Sequence, residues 1–196
     1  NKMVQLGTYT LEDKLGEGGM GEVYRASHSM LRRPTAVKLL TPERSSEEMI
    51  ARFEREVQMT SQLSHPNTIR IFDYGRTPDG IFYYAMEYLD GINLEDLVVK
   101  FGSLPASRVA KLILQMSASL AEAHAIGLVH RDIKPANVLL CYRGGIYDFV
   151  KVLDFGLVRL YGEDEKQMAA LTQVGMTTGT PAFMAPEMIL GMEVGP

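Results

Sequence analysis

Cysteine is nearly absent from this 196-residue chain: Cys141 stands alone, so no disulfide can form within it, and a reducing compartment suits it. No apolar run approaches the ~20 residues that a membrane span needs, and no secretory signal peptide is evident. Positive charge is not in excess. Lys and Arg number 20 against 24 Asp and Glu, a net charge of −4 that excludes a general attraction to nucleic acid. Internal repeats and low-complexity tracts are missing too. What remains is 46% hydrophobic and 22% charged, an ordinary globular composition sufficient for one large domain or two small lobes. The chain opens on Asn1 rather than Met and stops at Pro196, and the expectation is a piece of something longer.

The pattern changes character along the chain. "YTLEDKLGEGGMGEVYRAS" reads as two strands around a glycine cluster, and "TAVKLL" as a third. From Ser45 to Leu63 the period becomes helical, with Met49, Ile50, Phe53, Val57 and Leu63 near one face and Ser45 with Glu48 forming a capping box. "TIRIFDYG" and "GIFYYAMEY" read as two further strands joined through Pro78-Asp79-Gly80. This unit of five strands and one helix ends near Leu89. Beyond it, "NLEDLVVKFG" reads as a helix capped by Asn93 and stopped by Gly102. A long amphipathic helix follows, with Pro105 in its first turn and Gly127 at its end. "NVLLC" and "FVKVL" form a hairpin around Gly144-Gly145. Asp154 to Pro196, rich in Gly, Thr and Met, reads as a long loop of the kind usually kept for function.

Chemistry enters with "GEGGMGEVY". Gly16, Gly18 and Gly21 fit G-x-G-x-x-G, but Glu22-Val23-Tyr24 continues as strand where a dinucleotide fingerprint would open a helix. A glycine hairpin can lay backbone N–H groups over phosphates because no side chain intervenes; the plainer reading is a flexible turn. Lys38 lies in an apolar strand, where lysines usually face water. A functional Lys38 needs an anion, and Glu56 on the following helix is better placed than Glu54, Glu48 or Glu47, though spacing does not decide among them.

"HRDIKPANVLL" sets a charged, proline-interrupted knot against a buried strand. Asp132 there can accept a proton from an attacking hydroxyl. Asn137 offers a neutral oxygen to Mg²⁺, and Lys134 can stabilise a transferring phosphoryl group. "DFG" at Asp154, Phe155 and Gly156 follows a decoy, Asp148-Phe149-Val150. Gly156 favours the later copy as the one that aims an aspartate at a metal, and Asp148 reads as a turn residue of the hairpin.

Through "GEGGMGEVY", "AVK", "HRDIKPAN", "DFG" and "GTPAFMAPE", in that order, the chain resembles eukaryotic-type serine/threonine protein kinases of the kind also found in bacteria, over residues 9 to about 190. The resemblance implies an α+β, bilobal fold. Residues 1–89 would be a five-stranded, ATP-binding N-lobe with one main helix, and 90–196 the first part of a mainly helical C-lobe. Gly16, Gly18 and Gly21 would cover the ATP phosphates, with Lys38 contacting them and paired with Glu56. Val23, Ala36 and Leu139 would sandwich adenine, Met86 would back that pocket, and Glu87 and Leu89 would offer backbone hydrogen bonds. Asp132 would be the catalytic base, Lys134 the partner of the γ-phosphate, and Asn137 and Asp154 the Mg²⁺ ligands. His130 and Phe155 would pack together rather than react. Lys134 two residues after the base, and Thr180 in "GTPAF", imply serine/threonine substrates on proteins.

Arg131 beside the base implies control by phosphorylation, with Thr172 foremost and Thr177 and Thr178 as further acceptors. The implied partners are protein substrates and a second copy for autophosphorylation, with no nucleic acid. The implied location is the cytoplasm, as a free protein or as the cytoplasmic domain of a membrane-anchored one. Two departures stand out. Asn137 to Asp154 is a few residues longer than the family's usual spacing, and the family's further helices after "APE" are not in this sequence. The expectation is therefore that Leu112, Met116 and Leu120 stay partly exposed and that this length alone transfers phosphate poorly. A nucleotide-binding pseudokinase acting as a scaffold is the competing function.

Overall fold

The structure, a computed structural model, describes residues 4–18, 21–40, 47–77, 79–155, 181–190, 192 and 195. The chain forms two units, one of Asn1–Ser61 with Arg70–Leu89, the other of Gln62–Ile69 with Asp90–Pro196.

In the first unit the strands are β1 (Gln5–Leu6), β2 (Tyr9–Gly18), β3 (Gly21–His28), β4 (Pro34–Leu40), β5 (Ile71–Arg76) and β6 (Phe82–Glu87), with helix α1 (Glu47–Ser61) between β4 and β5. They make an antiparallel sheet in the order β1-β2-β3-β4-β6-β5. Five strands were expected. The sixth, β1, is two residues long and folds back through Gly7 at φ +56°, too short to leave a period in the sequence. Alternation sends Leu6, Tyr9, Leu11, Ala26, Val37, Tyr83 and Ala85 into one buried cluster. On α1, Ile50, Phe53 and Val57 are buried, and the Phe53 ring meets Phe82 edge-on at 5.1 Å. Burial of each such side chain stabilises by about 1.5–3 kcal/mol, which orients the helix despite its polar remainder. The helix ends before Leu63, which is buried in the second unit; Ser45 and the Glu48 side chain lie outside the described residues.

The second unit holds β7 (Gly91–Asn93), α2 (Leu94–Phe101), α3 (Ala106–Ala125), β8 (Val138–Arg143), β9 (Ile146–Val152) and the short α4 (Pro186–Ile189). Asn93 caps α2 by accepting from the Asp96 amide at 2.7 Å, and Gly102 leaves it at φ +83°. Strand β7 was not anticipated. It lies antiparallel on β8, and Gly91 sits so close that a Cβ there would be 2.4 Å from the Leu140 carbonyl oxygen. The β7-β8-β9 sheet gains a parallel bridge from Thr68 to Val152. Among the described residues no helix is long and apolar enough to cross a membrane.

Two expectations are corrected here. Leu112 is 2% exposed, since α3 turns Leu112, Ser119 and Ala123 inward on one face; Met116 and Leu120 are partly exposed as expected, and the exposed large apolar residues of α3 are Val109, Ile113 and Leu114. Asp148 is not in the hairpin turn. It lies inside β9 at φ +58°, beside the register irregularity that opposes Cys141–Arg143 to Ile146–Phe149, a bulge with one extra residue.

Candidate active site

In the first unit the glycine cluster is the tip of the β2–β3 hairpin, with Gly16 paired to Val23 and Gly18 to Gly21. Gly21 adopts φ +143°, and a Cβ there would lie 1.8 Å from the Leu39 carbonyl oxygen; at Gly16 a Cβ would meet nothing within 4 Å. The two glycines therefore differ. Gly21 is required by the fold, whereas the space over Gly16 is open. Lys14 straps the hairpin, with Nζ 2.6 Å from both Glu17 Oε2 and Glu22 Oε1, and the Tyr24 hydroxyl donates to Glu22 Oε2 at 2.7 Å. Hydrogen bonds from Lys14 and Tyr24 hold the Glu22 carboxyl below its usual range, while those to Glu17 and Glu22 push the Lys14 ammonium up.

Lys38 pairs with Val23 on one side and Tyr84 on the other, and at 6% exposure it is buried, not turned to water. A buried ammonium requires anionic or hydrogen-bonding company. Glu56 is half-buried on α1 with Oε2 fully screened from solvent, while Glu54 is committed to Arg76 at 3.3 Å. The side chains of Glu47 and Glu48 lie outside the described residues. Ala36 is buried opposite Met86, and Val23, Met86, Glu87 and Leu89 are half-buried. The Glu87 N–H donates to the Arg70 carbonyl at 2.9 Å, and its carboxylate accepts from the Arg70 N–H at 2.9 Å. The backbone group that Glu87 can offer a ligand is thus its carbonyl.

In the second unit, Pro135–Asn137 makes a single 3-10 turn ahead of β8. The Asn137 side-chain amide donates to the Asp132 carbonyl at 2.8 Å and to Asp132 Oδ2 at 2.9 Å, and Lys134 Nζ approaches the same oxygen at 2.8 Å. Two donors converging on one oxygen fix the plane of the carboxylate. With its nitrogen turned to Asp132, Asn137 keeps its amide oxygen as the atom a hard cation would take. The carbonyl of Asn137 accepts from the Leu153 N–H at 2.9 Å, tying this turn to the residue before Asp154.

His130, 2% exposed, makes the second tie. Its Nδ1 accepts from the Asp132 N–H at 3.2 Å, so the ring proton is on Nε2, which donates to the Leu153 carbonyl at 2.7 Å. Burial pushes the His130 pKa down, against the opposing pull of the Leu153 carbonyl and of Asp154 and Asp132, and keeps the imidazole neutral. Its ring lies 4.7 Å from that of buried Phe155. Arg131 and Asp154 take left-handed backbone at φ +63° and +53°, a conformation that costs non-glycine residues about 1–2 kcal/mol and clusters where side-chain direction matters.

The structure thus brings Asp132, Lys134 and Asn137 together and links them through Leu153 to Asp154. Leu139 is half-buried on β8 between Asn93 and Lys151. Gly156, Thr172, Thr177, Thr178 and Thr180 lie outside the described residues. Leu63 was expected on the helix, and Thr68 and Ile69 at the start of the next strand, but the helix ends at Ser61 and β5 begins at Ile71, so 62–69 is a connecting segment. Its partners Gln115, Ser119 and Glu122 are 48 to 58 residues away, and no local pattern announces such contacts.

In the second unit, Asp132 braced by Asn137 and Lys134, and tied through Leu153 to the residue before Asp154, is an arrangement able to take a proton and to offer oxygens to a hard cation. The chain belongs to the protein kinase domain family, whose model matches residues 9–196. It is 38% identical over 187 residues to the serine/threonine-protein kinase pkn3 of Myxococcus xanthus, covering 95% of this chain and 34% of that one. It is 38% identical over 191 residues to the serine/threonine-protein kinase PknD of Mycobacterium tuberculosis, covering 97% and 27%. The crystal structure of the Mycobacterium tuberculosis PknI kinase domain matches with a TM-score of 0.75 at 29% identity, over 100% of this chain and 70% of that one. The chain therefore spans about a third or less of the length of these curated relatives.

Proposed function

We propose that this chain is the ATP-binding and catalytic part of a protein kinase that transfers the γ-phosphoryl group of ATP to serine or threonine hydroxyls of proteins. The observation that carries this reading is the Asp132 carboxylate, held at one oxygen by both Asn137 and Lys134. Asp132 orients the acceptor hydroxyl and takes its proton. Lys134 faces the charge that develops on the phosphoryl group. The Asn137 amide oxygen and the Asp154 carboxylate make a hard-oxygen donor pair that fits Mg²⁺, which when bound neutralises phosphate charge.

On the other unit, Lys38 aligns the phosphates and Glu56 holds it. Gly16, Gly18 and Gly21 bring backbone N–H groups over them. Val23, Ala36 and Leu139 take the adenine faces, Met86 lies behind, and the Glu87 carbonyl with the Leu89 backbone reads the adenine edge. Acceptors are serine and threonine on proteins of the non-specific class, this chain among them at Thr172, Thr177 or Thr178. Cytoplasmic residence, free or tethered to a membrane, fits ATP supply.

ATP-dependent phosphorylation of a generic basic protein by the full-length protein, abolished by Asp132→Asn, is the expected result. Nucleotide binding without transfer in the unaltered protein would favour the scaffold reading instead.

A further inference from the structure

Glu122 stands in the last turn of α3, where the helix dipole disfavours a negative charge. It is nevertheless fully used. Its carboxylate accepts from the Ser64 N–H at 2.9 Å, the Ser64 hydroxyl at 2.8 Å and the His65 N–H at 2.9 Å. The carboxylate caps a loop rather than a helix. From this anchor segment 64–69 runs directly onto β9. The Val152 N–H donates to the Asn67 carbonyl at 2.7 Å, the Ile69 N–H to the Val152 carbonyl at 3.0 Å, and the Asn67 side chain to the Val150 carbonyl at 2.7 Å. Buried Lys151 donates to the Thr68 carbonyl at 3.1 Å. Val152 ends β9; two residues later comes Asp154, strained at φ +53°, after Leu153, whose N–H donates to the Asn137 carbonyl.

We propose that Glu122 is a positioning residue for the metal-binding end of β9: by holding the Ser64 and His65 amides on α3, it presses segment 64–69 against Val150–Val152 and so fixes where Asp154 points. The metal arm of this inference rests on the kinase reading above; the mechanical arm does not. Glu122 touches neither nucleotide nor acceptor in that reading. Its effect runs through backbone hydrogen bonds, and a displacement of about 1 Å at a reacting group is enough to cost roughly 100-fold in rate.

The test uses full-length protein carrying Glu122→Ala or Glu122→Gln. Amide hydrogen exchange is expected to quicken in Glu122→Ala not only at Ser64 and His65 but also at Val152 and Leu153. In turnover, half-saturating Mg²⁺ should rise about fivefold and kcat fall about tenfold while KM for the acceptor protein holds, an order of magnitude set by the positional sensitivity above. Glu122→Gln keeps one acceptor oxygen and should recover part of both; if the alanine variant does not fold, the glutamine variant carries the same comparison. Faster exchange confined to Ser64 and His65, with Val152 protection and Mg²⁺ requirement unchanged, would overturn the proposal. Absence of phosphoryl transfer in the unaltered protein would instead sink the kinase reading, and the exchange comparison would still decide the role of Glu122.

Discussion

The side chain of Asn137 grips Asp132 twice, at its carbonyl by 2.8 Å and at its carboxylate by 2.9 Å. One residue therefore braces the expected base and presents an oxygen for the expected metal. Asn137→Ala should remove both services and lower kcat by about 100-fold or more, the scale at which positioned electrostatic groups act. Thermal stability should fall too, because Asn137 is buried. Steady-state kinetics on the full-length protein check this, and near-normal turnover would show that Asn137 only packs.

Gly16 and Gly21 should part company on substitution. Gly21→Ala drives a Cβ to 1.8 Å from the Leu39 carbonyl oxygen, so the β3–β4 pairing must open and the melting temperature drop. Gly16→Ala meets no atom within 4 Å and should leave stability unchanged. If phosphates lie under this hairpin, Gly16→Ala should still raise the dissociation constant for ATP, measurable by titration. An unaltered ATP affinity would remove Gly16 from the phosphate site.

Arg108 grips Asp148 with two 2.7 Å hydrogen bonds. Both side chains are about a third exposed, which limits the pair to about 0.5–1 kcal/mol. Asp148 also stands at φ +58°. Asp148→Gly should therefore cost less than Asp148→Ala by about 1 kcal/mol, since only glycine takes this backbone without strain. Denaturant unfolding of the two variants is the measurement; equal losses would mean that the bulge relaxes.

Stability should fall on mild acidification. Burial depresses the His130 pKa below that of the unfolded chain, so its contribution is fully present above about 6.5 and is lost as pH falls from there through the folded value. Glu122 acts lower. Burial alone would raise its pKa, but the amides of Ser64 and His65, the Ser64 hydroxyl and the His65 charge together outweigh that and depress it. Its contribution is present above about 4.3 and is lost as pH falls through the folded value. Melting curves of the unaltered protein and His130→Phe between pH 5 and 8 should converge toward the acid end if this holds.

Much was legible from the chain because the responsible physics is local. Strands β2 to β6 announced themselves as β-branched and apolar runs between turn residues, α1 and α3 by their apolar period, and the ends of α2 by Asn93 and Gly102. Asp132, Lys134 and Asn137 lie within six residues and can be read as one device, since a proline-bearing turn leaves them few ways to point. Tertiary structure alone decided the rest. Lys38 could have faced water, and only the folded chain shows it buried on a strand flanked by β3 and β6. Asp148 looked like a turn residue until a bulge placed it within reach of Arg108, forty residues away. The run from Ser64 to Ile69 gave only a misleading local signal, since Thr68 and Ile69 read as the start of a strand that begins at Ile71. Its place on β9 comes from hydrogen bonds to residues 48 to 83 positions distant, which no local window of sequence contains.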